Sequence, residues 1–507
     1  MKKTLITATT FVTLSSGLFA QTNKHPNVIY IFPDQFRNSA MQFWDEKGFC
    51  EYVNFKADPV HTPTLNNFAK ESVVLTSAQS ICPLSSPYRG MFLTGMYPGN
   101  SGVPLNCNSS RPISNLRKDA VTISDVFGLN GYQCAYVGKL HAEYPTRNNP
   151  QAPGTYVESQ NPVWDAYTAP ENRHGFDFWY SYGTYDVHKS PHYWDTEGNR
   201  HEIKEWSPEH EADKIIEYLT TKRDENKPFF LVWSANPPHS PYRSLNDCKE
   251  EDYNLYKDIP LEHLLVRPNV NKDLKEKQAC APYYFASVTG VDREFGRVLQ
   301  TLKSLGLDEN TIVVFTSDHG ETMASHVLDP KNSPYSESMN VPFIIRYPKV
   351  LKPKVSPLLL SPVDIMPTLL SLAGLKNEIP VSVQGKDLSG FFQDKTSAKD
   401  ALESVLYIRN IDGETDNDGN VVSYFPVARG IKTSRYTLAI TIDRDNSVQD
   451  ILFFDDKNDP YQMNNLSIEA HRKEFYVLCN SMSSLLKNAD DPWYRNKILS
   501  DIIPYDK

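Results

Sequence analysis

The sequence predicts an α/β fold, a large mixed central sheet sandwiched by helices, followed by a smaller C-terminal α+β domain of antiparallel sheet plus helix. Short apolar runs ending in polar, reactive residues predict the strands of the first part. Helix-like segments placed before those runs predict its helical layers. The loss of that alternation beyond about residue 400 predicts the second part.

Val28 to Phe32 is an apolar run that leads into Asp34. Thr122 to Leu129 reads as a helix, stopped by Gly131, ahead of the strand Cys134 to Val137. Glu211 to Thr221 precedes the run Phe229 to Trp233, which leads toward His239. Val291 to Leu305 precedes Ile312 to Thr316, which leads into Asp318 and His319. Open α/β sheets bind ligands beyond the carboxyl ends of their strands, where these polar residues fall. Residues 143–210, rich in Pro, Tyr, Trp, His and Asn, read either as an insertion over the active face or, equally, as a plain surface loop. After residue 400 come the strand-like stretches Ser404 to Arg409, Val427 to Ile442 and Ile451 to Phe454, then a terminal helix near His471 to Leu486. The expected domains are therefore 21–385 and 386–507.

Residues 1–20 read as a signal peptide: Lys2 and Lys3 precede an uncharged, mostly apolar stretch from Leu5 to Phe19, with Ala20 before Gln21. No cysteine follows that could carry a lipid, so the expected location is periplasmic or secreted. No later stretch approaches the roughly 20 apolar residues of a membrane span. The net charge of −10 is spread without a basic tract, which argues against nucleic acid as a partner. Seven cysteines are too scattered for a disulfide framework, and their odd number leaves at least one unpaired. Oligomeric state is not legible.

Ser85 precedes Ser86-Pro87, a combination that suits a helix start with hydroxyl caps and Pro in the first turn. A side chain there faces unpaired backbone N–H groups, a natural seat for an anionic ester. Arg89, one turn on, offers forked hydrogen bonds to sulfate or phosphate. Lys139 and His141 put a cation and a group titrating near neutrality at one strand end. Asp34 and Asp318 are hard oxygen ligands for Ca²⁺ or Mg²⁺. Taken singly, each of these is as consistent with a capped helix, an exposed turn or an ordinary strand-end aspartate.

As a set they resemble the formylglycine-dependent sulfatases of the alkaline phosphatase superfamily, in particular serine-type exported bacterial glycan sulfatases. Ser85-x-Pro87-x-Arg89 followed by Phe92-Leu93-Thr94-Gly95 is similar to the first sulfatase signature, with Tyr88 in place of a small residue. Cys82 is the competing modified residue, but its Arg is out of register. Gly131-Tyr132 with Gly138-Lys139-Leu140-His141 is similar to the second signature. Asn27 to Gln35 and Thr316 to Glu321 resemble the two metal-binding strands, with Gln35 and His319 where many members have Asp and Asn. His239, in Asn236-Pro-Pro-His239, and Lys331, in Lys331-Asn-Ser-Pro-Tyr-Ser-Glu337, match two further site positions, and Leu452 to Pro460 resembles the closing segment.

The resemblance implies a 3-oxoalanine (formylglycine) made from Ser85 by a serine-accepting maturation enzyme, and a bound Ca²⁺, with Mg²⁺ as alternative, held by Asp34, Gln35, Asp318, His319 and Ser85. It implies a hydrated aldehyde, one oxygen of which attacks sulfur while the second, once deprotonated, expels sulfate. Arg89, Lys139 and Lys331 then neutralise the sulfate, His239 protonates the leaving alcohol, and His141 is the base that breaks down the sulfated intermediate. The expected substrate is a sulfated carbohydrate, a glycosaminoglycan, mucin or other glycan, with Arg173, His174, His188 and Tyr193 as sugar contacts. The competing readings are a phosphodiesterase or phosphonate monoester hydrolase of the same superfamily, and an inactive glycan-binding homologue.

Overall fold

The computed structural model describes residues 25–145, 162–327, 329–397 and 401–503. The expected signal peptide at 1–20 lies outside the described residues. The fourteen strands among them are β1 (Asn27–Ile31), β2 (Val73–Ala78), β3 (Gln133–Lys139), β4 (Phe178–Tyr182), β5 (His192–Trp194), β6 (Arg200–Glu202), β7 (Phe229–Ser234), β8 (Thr311–Thr316), β9 (Phe343–Arg346), β10 (Lys354–Leu360), β11 (Ser404–Asp412), β12 (Tyr424–Thr433), β13 (Tyr436–Ile442) and β14 (Val448–Asp455).

The first ten form one mixed sheet in the order β10-β2-β9-β8-β1-β7-β3-β4-β5-β6. Its centre is parallel: β1 pairs with β7 and β8, and β3 with β7 and β4. Every residue of β1, β7 and β8 is buried, the pattern of strands covered on both faces. The Ala281–Ser304 helix packs on one face through Phe285, Val288, Val291 and Phe295. The Ser85–Thr94 and Pro362–Leu372 helices pack on the other through Tyr88, Phe92, Ile365 and Leu369. The carboxyl ends of β1, β3, β7 and β8 consequently open at one edge, as the strand-end pattern predicted.

Two readings need correction. The stretch 143–210 is not only a loop, because β4, β5 and β6 within it extend the central sheet outward from β3. Residues 427–442 are not one strand but the hairpin of β12 and β13. Its turn carries neither Gly nor Asn; Thr433 Oγ1 accepts from the backbone N of Arg435 (3.1 Å) and Tyr436 (2.7 Å) and so reverses the chain. The four-stranded antiparallel sheet β11-β12-β13-β14 is covered by the Arg472–Asn488 helix, and its core reaches Ile81 and Cys82, just ahead of the Ser85 helix, and Met91 within that helix.

Candidate active site

The local chain geometry aims the polar residues into one cage. After β1, pairing with the β7 side continues through Phe32 N to Trp233 O and Asp34 N to Ala235 O, both 2.9 Å, so Asp34 leaves the sheet fully buried. Gln35 then takes a left-handed backbone (φ 65°), uncommon for a residue with a Cβ. His141 does the same (φ 43°), just after β3 delivers Lys139. Gly138, at φ 100°, packs against the Ser234 carbonyl so closely that a Cβ has no room; only glycine lets β3 end there.

Ser85 corrects one expectation. It is the first residue of its helix, and Leu84 holds the cap position without a side-chain cap bond. The Ser85 hydroxyl is turned away from capping and stands 3.2 Å from His319 Nε2. Neighbouring Ser86 accepts from Cys107 N at 3.0 Å instead. Tyr88, the departure from a small residue, fits because its hydroxyl lies 2.7 Å from that of Tyr30 in the core beneath. Cys82 is buried toward the small sheet, its thiol pushed up to about 12 by burial. All seven cysteines are unpaired.

Around Ser85 the charges interlock. Arg89, 1% exposed, reaches Asp34 Oδ2 at 3.1 Å and Asp318 Oδ2 at 3.7 Å, and is held by the Lys139 carbonyl and Ser234 Oγ, each at 2.6 Å. Lys139 Nζ lies 2.9 Å from Asp34 Oδ2 and 3.1 Å from Asn236 Oδ1. Burial alone would raise the Asp34 pKa, but Lys139 and the nearby cationic groups hold it well below the carboxylate range. Asp318 moves the other way, to about 7, because of burial and the Asp34 charge.

Three buried oxygens here, Asp34 Oδ1, Gln35 Oε1 and Asp318 Oδ2, lack a hydrogen-bond partner among the described residues. Leaving such atoms bare costs roughly 1–3 kcal/mol each. His319 completes the group: its Nδ1–H donates to the Gly320 carbonyl (3.0 Å), which leaves the Nε2 lone pair 3.4 Å from Asp34 Oδ1 and 3.6 Å from Asp318 Oδ2. Asp34, Asp318 and His319 can each offer a ligand atom within 4.8 Å of the others. The three oxygens suit a hard divalent cation, and the His319 nitrogen is the softer member of the set. Glu321 fixes Gln35 by accepting from its Nε2, and Tyr242 and Lys277 secure Glu321 in turn.

His141, His239 and Lys331 flank this cage. His141 Nε2–H donates to the Cys107 carbonyl (3.2 Å), so its Nδ1 carries the lone pair; burial first, then Lys139 and Arg89, push its pKa well below the usual imidazole value. His239 donates Nδ1–H to the Ser240 carbonyl (2.6 Å), lies 3.4 Å from Asp186, and has Lys331 Nζ 2.8 Å from Nε2. Lys331 is also 3.3 Å from His319 Nε2.

Of the four expected sugar contacts, Arg173 and Tyr193 are committed to packing within the protein. Arg173 is buried, bonded to Thr168 O, Thr196 O and Tyr167 OH, and lies over the Tyr167 and Trp179 rings. Tyr193 is fully buried and donates to Glu211. His188 is buried within electrostatic reach of Asp186 and His239, with neither ring nitrogen hydrogen-bonded among the described residues, and the His174 carbonyl accepts from Thr122 at the Ile123–Leu129 helix. Arg173 and Tyr193 thus belong to the scaffold of the extra strands. Conversely, Asp186, Asn236, Glu321 and Tyr242 support the site and were not singled out; Asn236 and Glu321 lie in the quoted motifs, whereas Asp186 and Tyr242 carry no local signal.

Comparison with known proteins bears on this geometry. The model of the family described as Sulfatase matches residues 26–375, and that described as N-sulphoglucosamine sulphohydrolase, C-terminal, matches 325–490. An "Endo-4-O-sulfatase" of Bacteroides thetaiotaomicron is 60% identical over 491 residues, 96% of each chain. An "Ulvan-active sulfatase" of Formosa agariphila is 32% identical over 481 residues, covering 91% of this chain and 80% of that one. A solved structure from a study of the metabolism of multiple glycosaminoglycans by Bacteroides thetaiotaomicron superposes with a TM-score of 0.93 at 61% identity, over 95% of this chain and 100% of the other.

Proposed function

The chain belongs to the sulfatase family and is a sulfuric ester hydrolase, and from that premise we propose that it removes O-sulfate from a sulfated glycan with a formylglycine made from Ser85 and a divalent cation. The supporting observation is the convergence of Ser85 Oγ, the bare oxygens of Asp34, Gln35 and Asp318, and the cations Arg89, Lys139 and Lys331 in one buried cage. Asp34, Gln35, Asp318 and His319, with residue 85, would hold Ca²⁺. When bound, the cation supplies charge neutralisation for sulfate oxygens, and the oxidised residue supplies the attacking oxygen.

The remaining chemistry belongs to this chain's own side chains. Arg89 and Lys139 are fixed before substrate arrives, so their attraction for the sulfate charge needs little reorganisation. Lys331, next to His239, supplies a third positive charge for the sulfate. With Nδ1–H tied to Ser240 O, His239 can deliver or take a proton only at Nε2, which directs it to the leaving oxygen. His141, kept neutral by its surroundings, is the base that acts on residue 85 in the second half of the reaction.

The names of the two relatives, an endo-4-O-sulfatase and an ulvan-active sulfatase, support a polysaccharide substrate, and the 60% identity supports internal 4-O-sulfate. Residues 1–20 are proposed to export the chain to the periplasm or beyond, and the catalytic unit is proposed to end near residue 385. No helix among the described residues is long and apolar enough to cross a membrane. The test is to offer matured protein saccharides sulfated at position 2, 3, 4 or 6: the 4-sulfated one should lose sulfate fastest. Preference for another position would overturn the assignment of the hydroxyl, and faster turnover of a phosphodiester than of every sulfate ester would overturn the reaction.

A further inference from the structure

We propose that a second saccharide-binding site occupies the cavity between the carboxyl end of β2, the loop after β1 and the β12–β13 turn. The proposal rests on the glycan reading above. This cavity of about 380 Å³ is lined by Asn38, Gln79, Arg267, Glu337, Lys432 and Tyr52, and by none of the residues assigned to the cage. Its volume suits a small ligand of one or two sugar rings.

The chemistry of its wall selects that class. Asn38 is 4% exposed, yet both its Nδ2 and its Oδ1 lack a partner among the described residues. Gln79 Oε1 is likewise buried and without a hydrogen-bond partner, and so is Glu337 Oε2, which has only His326 Nε2 at 4.0 Å. The buried charges, by contrast, are already matched, Arg267 with Glu337 at 2.8 Å and Lys432 with Asp456 at 3.0 Å, and the two exposed ones that also line it, Glu51 and Lys457, are opposite in sign. What the cavity offers is a mixture of buried donors and acceptors without net unpaired charge, which sugar hydroxyls satisfy because each can donate and accept. At the rim, Tyr52 is 57% exposed, a flat apolar face of the kind on which a sugar ring stacks.

The cavity also adjoins the cage. Arg37 lines it and donates to the carbonyls of Glu321 and Thr322, in the loop that carries the metal candidates. Next to Glu337, Ser338 O accepts from Gly320 N at 2.9 Å. A glycan chain held here would be retained by the enzyme through a unit other than the one losing sulfate.

The test is equilibrium binding of a fully desulfated glycosaminoglycan hexasaccharide to full-length wild type, Asn38→Ala and Tyr52→Ala, with sulfate release from a small aryl sulfate measured in parallel. The wild type should bind, and each variant should bind about tenfold more weakly, the effect of losing a buried hydrogen bond or a stacking aromatic, while aryl sulfate turnover is unchanged. Failure of the wild type to bind, or variants that bind as tightly as wild type, would overturn the second site. Absence of aryl sulfate turnover in the wild type would instead count against the catalytic reading.

Discussion

Lys331 Nζ lies 2.8 Å from His239 Nε2, so two groups that both gain charge by taking a proton face each other at the edge of the cage. Only one proton fits between them. His239 Nδ1–H is committed to Ser240 O, and burial draws the Lys331 pKa down. In the proposed mechanism Lys331 and His239 share the task of meeting an arriving ester: the first faces its charge and the second its leaving oxygen.

His239→Ala should slow sugar sulfates far more than activated aryl sulfates, because only a poor leaving alcohol needs protonation. General acid assistance typically contributes 10²- to 10⁴-fold, so roughly that factor should separate the two substrates in kcat/KM. Equal losses on both would remove His239 from that role. Lys331→Ala should reduce both together, since the sulfate group is common to them.

Chelation should abolish turnover, and added Ca²⁺ should restore it. Binding to the folded chain alone also raises the thermal midpoint, by about 2.7 kcal/mol of stability at a hundredfold excess over Kd. Gln35→Leu, which removes the bare Oε1, should weaken that Ca²⁺-dependent rise. An unchanged Ca²⁺ titration in the variant would show that Gln35 is no ligand.

Glu211 supplies a pH signature outside the cage. It is fully buried, accepting from Tyr193 OH (2.7 Å) and Trp233 Nε1 (2.8 Å), and burial pushes its pKa up from 4.5 to about 8 despite those donors. A raised carboxyl pKa means that its stabilising share is complete below the unfolded value and is lost as pH rises through the folded one. Between about pH 4.5 and 8 it should therefore cost up to about 1.4 kcal/mol per pH unit. Glu211→Gln should lose that slope in thermal unfolding; parallel curves for variant and wild type would contradict the shift.

The sequence was legible where a strand end and a reactive residue coincide. β1, β3, β7 and β8 are built on apolar runs, with Lys139 closing β3 and Asp34 and Asp318 just beyond β1 and β8. The outer strands were not legible: β5 and β6 are three residues each, and β5 depends on pairing with β4 and β6 on pairing with β5. Arg173 and Tyr193 illustrate the cost, because polar and aromatic residues in a loop imply ligand contacts, whereas the same residues under an added strand are packing. Asp186, 3.4 Å from His239, could be found only in three dimensions.

Ser85→Ala should keep the fold, since Ser85 makes no capping bond, and should release no sulfate. Ser85→Cys should regain activity in a host whose maturation enzyme oxidises cysteine. The most direct measurement is mass spectrometry of the peptide carrying residue 85, taken from the same preparation assayed for sulfate release. Preparations in which Ser85 has lost two hydrogen atoms, or appears as the corresponding hydrate, should be active in proportion to that fraction. Full activity in protein whose Ser85 is unmodified would contradict the nucleophile, and with it the mechanism built around it.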